Sequence, residues 1–101
     1  MKKQENKSSK KEDNRAYKII IKDKAIKQLS KIPKKFAIKI DELIQSLSFE
    51  PRPANCKKLQ GYDNFYRVRF ADYRVLYMIE DHALIVEVIQ IGNRKDVYDK
   101  I

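Results

Sequence analysis

FYRVRFADYRVLY, residues 65–77, sets three arginines among apolar side chains on the two sides of a two-residue break, Ala71-Asp72. Successive side chains of a strand point to opposite faces, so Tyr66, Val68 and Phe70 share one face and Arg67 and Arg69 the other. A break this short allows only a hairpin. Folding the stretch there sets Phe70 against Tyr73 and Arg69 against Arg74. One face then gathers Tyr66, Val68, Phe70, Tyr73, Val75 and Tyr77 and is suited to a core. The other gathers Arg67, Arg69 and Arg74. Like charges directly opposite each other destabilise a ladder. A sheet built for stability alone avoids that pairing, so an anion is expected among the guanidinium groups.

Downstream, Leu84–Ile91 alternates again after a break around Asp81-His82, which makes the region an antiparallel meander with strands at Phe65–Phe70, Tyr73–Ile79 and Leu84–Ile91. A two-residue turn at Asp81-His82 sets Leu76 against Glu87 and brings Glu87 onto the arginine face. One glutamate cannot satisfy three arginines. The face is read as a phosphate site, matched to arginine's planar five-donor head. An internal ion-pair cluster around Glu87 is the alternative.

Upstream, Tyr17–Lys22 is β-branched and aromatic enough for a strand, and Asp23 is placed to cap a short helix with Ile26 and Leu29 on its inner side. Pro33 suits the first turn of a second helix. Phe36, Ile40, Leu43, Ile44 and Leu47 form its apolar face, and the helix ends before Pro51. Pro51-Arg52-Pro53 makes an extended connection, and Lys57-Lys58-Leu59 a short strand entering Gly61. Two helices followed by a meander predict an α+β fold with the helices on one face of the sheet.

The chain has 101 residues, 43% of them hydrophobic, enough for one domain with one core. Its net charge of +9 favours a polyanionic partner. Residues 1–16 hold six basic and three acidic side chains without a large apolar one beyond Met1, and are expected to form a disordered basic tail. Residues 17–101 keep seventeen basic and eleven acidic side chains, a net of +6, so the basicity belongs to the domain. No apolar run has the length of a membrane span, no secretory signal opens the sequence, and the single cysteine has no internal partner. A cytoplasmic protein with no membrane partner is expected. His82 falls at a turn away from the arginines, and Cys56 is assigned to packing. One histidine and one cysteine do not build the usual nitrogen and sulfur metal sites, so neither a metal nor any other cofactor is expected.

The last segment, Val88-Ile89-Gln90-Ile91-Gly92-Asn93-Arg94-Lys95-Asp96-Val97-Tyr98, joins the hairpin and the upstream Lys58-Leu59-Gln60-Gly61 in a recognisable order. Together they resemble the RelE family of the RelE/ParE toxin superfamily over roughly residues 17–101. The resemblance implies a RelE-like α+β fold, an N-terminal strand and two helices packed on an antiparallel β-meander. It implies an mRNA interferase, a ribosome-dependent endoribonuclease that cuts message in the A site and is silenced by a cognate antitoxin. The ribosome and mRNA are then its other partners. The family's basic pair on the sheet falls on Arg67 and Arg69, its arginine after the hairpin turn on Arg74, its arginine after the last strand on Arg94, and its C-terminal tyrosine on Tyr98. Lys57, Lys58, Lys95 and Tyr62 are assigned to RNA binding. Relatives often carry lysine at the sheet pair, glycine at Ala71 and histidine at Asn93, so proton transfer and turn type are the points of departure. A ParE-like toxin that inhibits DNA gyrase without cutting RNA, and a toxin that binds RNA without cutting it, are the competing readings.

Overall fold

The computed structural model describes residues 16–93. Strand β1 (Lys18–Ile21) leads into helix α1 (Asp23–Ser30) and helix α2 (Lys34–Ser46), followed by β2 (Lys57–Lys58), β3 (Phe65–Phe70), β4 (Tyr73–Glu80) and β5 (Ile85–Asn93). The sheet order is β1-β5-β4-β3-β2. Strands β2 to β5 are the expected antiparallel meander, and β1 joins its far edge parallel to β5. The expected tail, residues 1–16, lies outside the described residues except for Ala16.

The α2 pattern holds. Ile40, Ile44 and Leu47 are buried, and they meet Val68, Val75, Tyr77, Ile79, Val86, Val88 and Ile91 from the sheet. Phe36 and Leu43 are half-buried on the same side. In α1 the inner face is rotated from the expectation. Ala25 is fully buried and Leu29 half-buried, whereas Ile26 is 50% exposed. The small side chain lets the helix approach β5, and Gln28 uses the proximity: its Oε1 accepts the Ile91 N–H at 2.8 Å, past the point where β1 ends. Asp23 is the first helical residue, not the cap, a position where its charge suits the helix dipole.

The β3–β4 register is the expected one, Phe70 against Tyr73 and Arg69 against Arg74. Ala71 makes this possible by taking a left-handed φ of 54°. A side chain in that region costs about 1–2 kcal/mol, and the hairpin absorbs it, so the alanine does not shift the pairing of the two arginines.

The β4–β5 register departs from the expectation. The connection uses four residues, Asp81 to Leu84, with Leu84 at φ 55°, and an irregularity between Leu76 and Tyr77 adds one residue to β5. Leu76 therefore faces Gln90, and Glu87 faces Met78. Glu87 stays on the arginine side but lies further along the strand, where it meets Lys22 at 3.7 Å.

The segment between α2 and β2 is pinned by a polar network with no expectation in the sequence. Asp81 accepts hydrogen bonds from Tyr17 Oη at 2.7 Å and from Arg52 at 2.8 and 3.3 Å. Arg52 Nε donates to Tyr66 Oη at 3.0 Å, and Tyr77 Oη donates to the Pro51 carbonyl at 2.8 Å. The hydrogen bonds from Arg52 and then from Tyr17 hold the Asp81 carboxyl below its ordinary 3.8. The bond to Asp81 raises Tyr17, and burial raises Tyr77.

Candidate nucleic-acid interface

Strand alternation carries Arg67 and Arg69 from β3 and Arg74 from β4 to the face of the sheet opposite the helices. Arg69 and Arg74 are direct cross-strand partners next to the turn, and Arg67 sits opposite Leu76. Lys57 pairs with Arg67 and extends the same face, whereas Lys58 pairs with Tyr66 and points to the other side. Arg69, Lys57 and Lys58 are exposed; Arg67 and Arg74 are half-buried, and the Nε of Arg74 is closed off from solvent. Gly92 of β5 lies beside Arg74, so the strand reaches its end alongside the same arginine.

This face is not bare. Leu76 is fully buried on it and packs with Leu59 under Tyr62 and Phe65. The Tyr62 ring stands edge-on to Phe65, with centroids 5.8 Å apart. The turn at Gly61, with φ 87°, folds the 59–65 segment over Leu76 and so creates a second small core beside the arginines. Tyr62 is thus half-buried at the rim of that core. Strand alternation by itself gives no sign that part of this face is covered; Leu59 and Leu76 are the apolar side chains that mark the cover.

Arg94, Lys95 and Tyr98 lie outside the described residues. Asn93 closes β5 opposite Tyr73, half-buried. His82 sits in the β4–β5 turn, separated from Arg74 by most of β4, roughly 25 Å at strand rise. Cys56 is half-buried against the main core. Among the described residues no group of three or more His, Cys, Asp or Glu side chains stands close enough to hold a metal ion. No described helix is long and apolar enough to cross a membrane.

What the geometry offers is fixed positive charge: three guanidinium groups and an ammonium on one sheet face, two of them held partly out of water. Such an arrangement favours an oxyanion and does so without reorganising.

A small α+β protein with two helices on one face of a five-stranded sheet has the architecture of RelE toxins of known structure. The family described as the ParE toxin of the type II toxin-antitoxin system parDE matches residues 19–98. Two Methanocaldococcus jannaschii proteins are similar to the chain: RelE1 is 31% identical, with 81% of this chain and 94% of that one aligned, and toxin RelE3 is 30% identical over 73% and 86%. The Pyrococcus horikoshii RelE–RelB complex shares the fold at a TM-score of 0.72 and 26% identity, over 81% of this chain and 99% of its counterpart. The RelBE2 complex of Mycobacterium tuberculosis does so at 0.70 and 26%, over 80% and 94%. The chain belongs to the RelE family of the RelE/ParE toxins.

Proposed function

We propose that the protein is the toxin of a type II toxin-antitoxin pair and acts as a ribosome-dependent endoribonuclease, cutting mRNA in the A site. The observation that carries the reading is the direct pairing of Arg69 with Arg74, with Arg67 and Lys57 on the same face. Two like charges opposed across a ladder cost stability that a bound phosphate offsets.

The reaction needs only groups of this kind. The 2′-hydroxyl of one ribose attacks the adjacent phosphorus in line, and the bond to the 5′-oxygen of the next nucleotide breaks. The products are a 2′,3′-cyclic phosphate and a 5′-hydroxyl. The phosphorane-like transition state carries extra negative charge, and Arg74, joined by Arg94, stabilises it on the phosphate oxygens. Tyr98 stacks on a base or orients the nucleophile. Arg67 or Arg69 assists the proton transfers, a task for which a guanidinium is a weak base. The ribosome's positioning of the message makes up part of that deficit. Lys57, Lys95 and Tyr62 hold flanking RNA, whereas Lys58, expected to join them, points to the helix side of the sheet and takes no part on this face.

The structural relatives from Pyrococcus horikoshii and Mycobacterium tuberculosis are toxin–antitoxin complexes. By that likeness this chain also pairs with a cognate antitoxin, which silences it.

The match to the ParE family favours a second reading, inhibition of DNA gyrase by protein contact. A ribosome-programmed message separates the two. The nuclease reading expects cuts within A-site codons, abolished by Arg74→Ala; the gyrase reading expects intact message and a block of supercoiling.

A further inference from the structure

Strand β5 loses its outer neighbour partway along. The last residue pair between β1 and β5 is Ile21 with Val88, and the Lys22 N–H, donating to the Val88 carbonyl at 3.0 Å, closes that ladder. From Ile89 to Asn93 no described strand lies on that side of β5. A buried backbone N–H there needs another partner, because leaving it without one costs about as much as a lost hydrogen bond. Helix α1 packs along β5 and supplies it. The acceptor is Gln28 Oε1, 2.8 Å from the Ile91 nitrogen; the Gln28 side chain is half-buried and Ile91 fully buried.

This bond exists in one register only. In a regular strand the backbone groups aimed at one edge recur at every second residue. Val88 presents its carbonyl to the outer edge, yet the bonded donor beyond it belongs to Ile91, three residues on. Ile89 accounts for the odd step: Tyr77 pairs with Val88 and Leu76 with Gln90, so Ile89 is an extra residue opposite no partner. A bulge of this kind shifts the pairing of everything after it. Beyond it Ile91 faces Val75 and Gly92 faces Arg74. The register before the bulge, carried on, would set Ile91 against Arg74 and turn the Ile91 N–H toward β4, out of reach of Gln28. The amide of Gln28 therefore favours the bulged register over the slipped one.

We propose that Gln28 is a positioning residue for the arginine face. It locks the end of β5 in the bulged register, and so fixes Gly92 beside Arg74 and the strand end from which the chain runs on to Arg94. Gln28 touches no substrate, since α1 packs on the other face of the sheet, and it acts through β5 alone. Its role in cleavage rests on the endoribonuclease reading above; its hold on the register does not. Placement matters to chemistry, because a shift of about 1 Å in a group that serves the transition state can cost about 100-fold in rate.

The test compares the wild type with Gln28→Met, which keeps the length of the side chain and removes the acceptor, and with Gln28→Glu, which keeps an acceptor oxygen. Ser48→Ala is the control: it removes another side-chain to backbone hydrogen bond, from Ser48 Oγ to the Tyr17 carbonyl at 2.7 Å, away from β5. In Gln28→Met the Ile91 amide is expected to exchange with deuterium about tenfold faster, and the cross-strand amide contact between Arg74 and Gly92, read by NMR, to be lost. On a ribosome-programmed message kcat should fall at least about tenfold while KM stays as it was. Gln28→Glu restores both the contact and kcat, and Ser48→Ala changes neither. Wild-type kcat in Gln28→Met, or an equal fall in Ser48→Ala, overturns the inference, since the bond then serves stability only. An Arg74 to Gly92 contact that survives in Gln28→Met overturns it as well. A message left whole by the wild type sinks the nuclease reading instead, and the NMR contact then decides alone: its loss in Gln28→Met upholds the positioning role, and its persistence overturns it.

Discussion

The two basic regions of this molecule differ in residue type, burial and support. On the sheet, Arg67 and Arg74 are half-buried, β3 and β4 are each paired on both sides, and Leu76 anchors the face from within. On the helices the lysines are exposed, and four of them meet no carboxylate among the described residues. The helices carry the greater net charge, seven lysines against one acid over residues 22–39, and the sheet the more fixed one. Density of charge governs capture, since long-range attraction sums over all groups. Fixity governs chemistry, because donors already aimed at a developing charge lose nothing to reorganisation.

The largest effects should fall where charge is fixed. Arg74→Ala is expected to lower single-turnover cleavage of ribosome-bound message by about 100- to 1,000-fold, the usual consequence of removing one preorganised oxyanion donor. Without RNA, thermal unfolding should not fall and should rise slightly, because the substitution relieves the like-charge pair with Arg69. An equal loss of activity from any one lysine of the helices would erase the distinction between the regions.

Support for the face can be removed without touching charge. Leu76→Ala leaves a cavity in the small core under Tyr62 and Phe65 and should cost about 2–5 kcal/mol in denaturant unfolding. Activity should drop further than stability explains, because the arginines lose their backing. Full activity in the surviving folded fraction would show that the core does not preorganise them.

A smaller effect sharpens the account of the turn. Ala71→Gly relieves the left-handed backbone at φ 54° and is expected to stabilise by about 0.5–1 kcal/mol, with Arg69 and Arg74 still paired. A loss of stability there would mean that the backbone is not strained.

The smallest belongs to Asp81. Its carboxyl is held below 3.8, chiefly by Arg52 and then by Tyr17, so its contribution is present above that pH and fades as pH falls through the lowered value. Exposed pairs of this kind contribute about 0.2–1 kcal/mol. Asp81→Asn should cost no more than that near neutrality and should flatten stability against pH in the acid range, while cleavage near neutrality stays as it was.

Much of this was legible in the sequence because strand alternation is strict. FYRVRFADYRVLY fixes which side chains share a face and, with a two-residue turn, which residues pair. The α2 face was legible for the same reason at the helical period. What escaped has local causes. A four-residue turn reads like a two-residue one when Asp81 and His82 are followed by Ala83 and Leu84, so Glu87 lies opposite Met78, two residues further from the arginines than expected, and the irregularity at Leu76 and Tyr77, which leaves no sequence mark, sets Leu76 against Gln90. In α1, Ala25 rather than Ile26 faces the sheet because close approach to β5 selects a small residue over an apolar one. The Arg52, Asp81, Tyr17 and Tyr66 network joins segments far apart in the chain, which no local pattern reports. The cover over Leu76 depends on the turn at Gly61, and Arg94, Lys95 and Tyr98 lie beyond the described residues.

The central claim is that the guanidinium groups of the sheet grip one RNA linkage for internal attack. The ends of the message fragments test it most directly. Wild-type protein acting on a ribosome-programmed message should leave a 2′,3′-cyclic phosphate on the upstream fragment and a 5′-hydroxyl on the downstream one, with neither formed by Arg74→Ala. Fragments ending in a 5′-phosphate, or a message left whole, would contradict it.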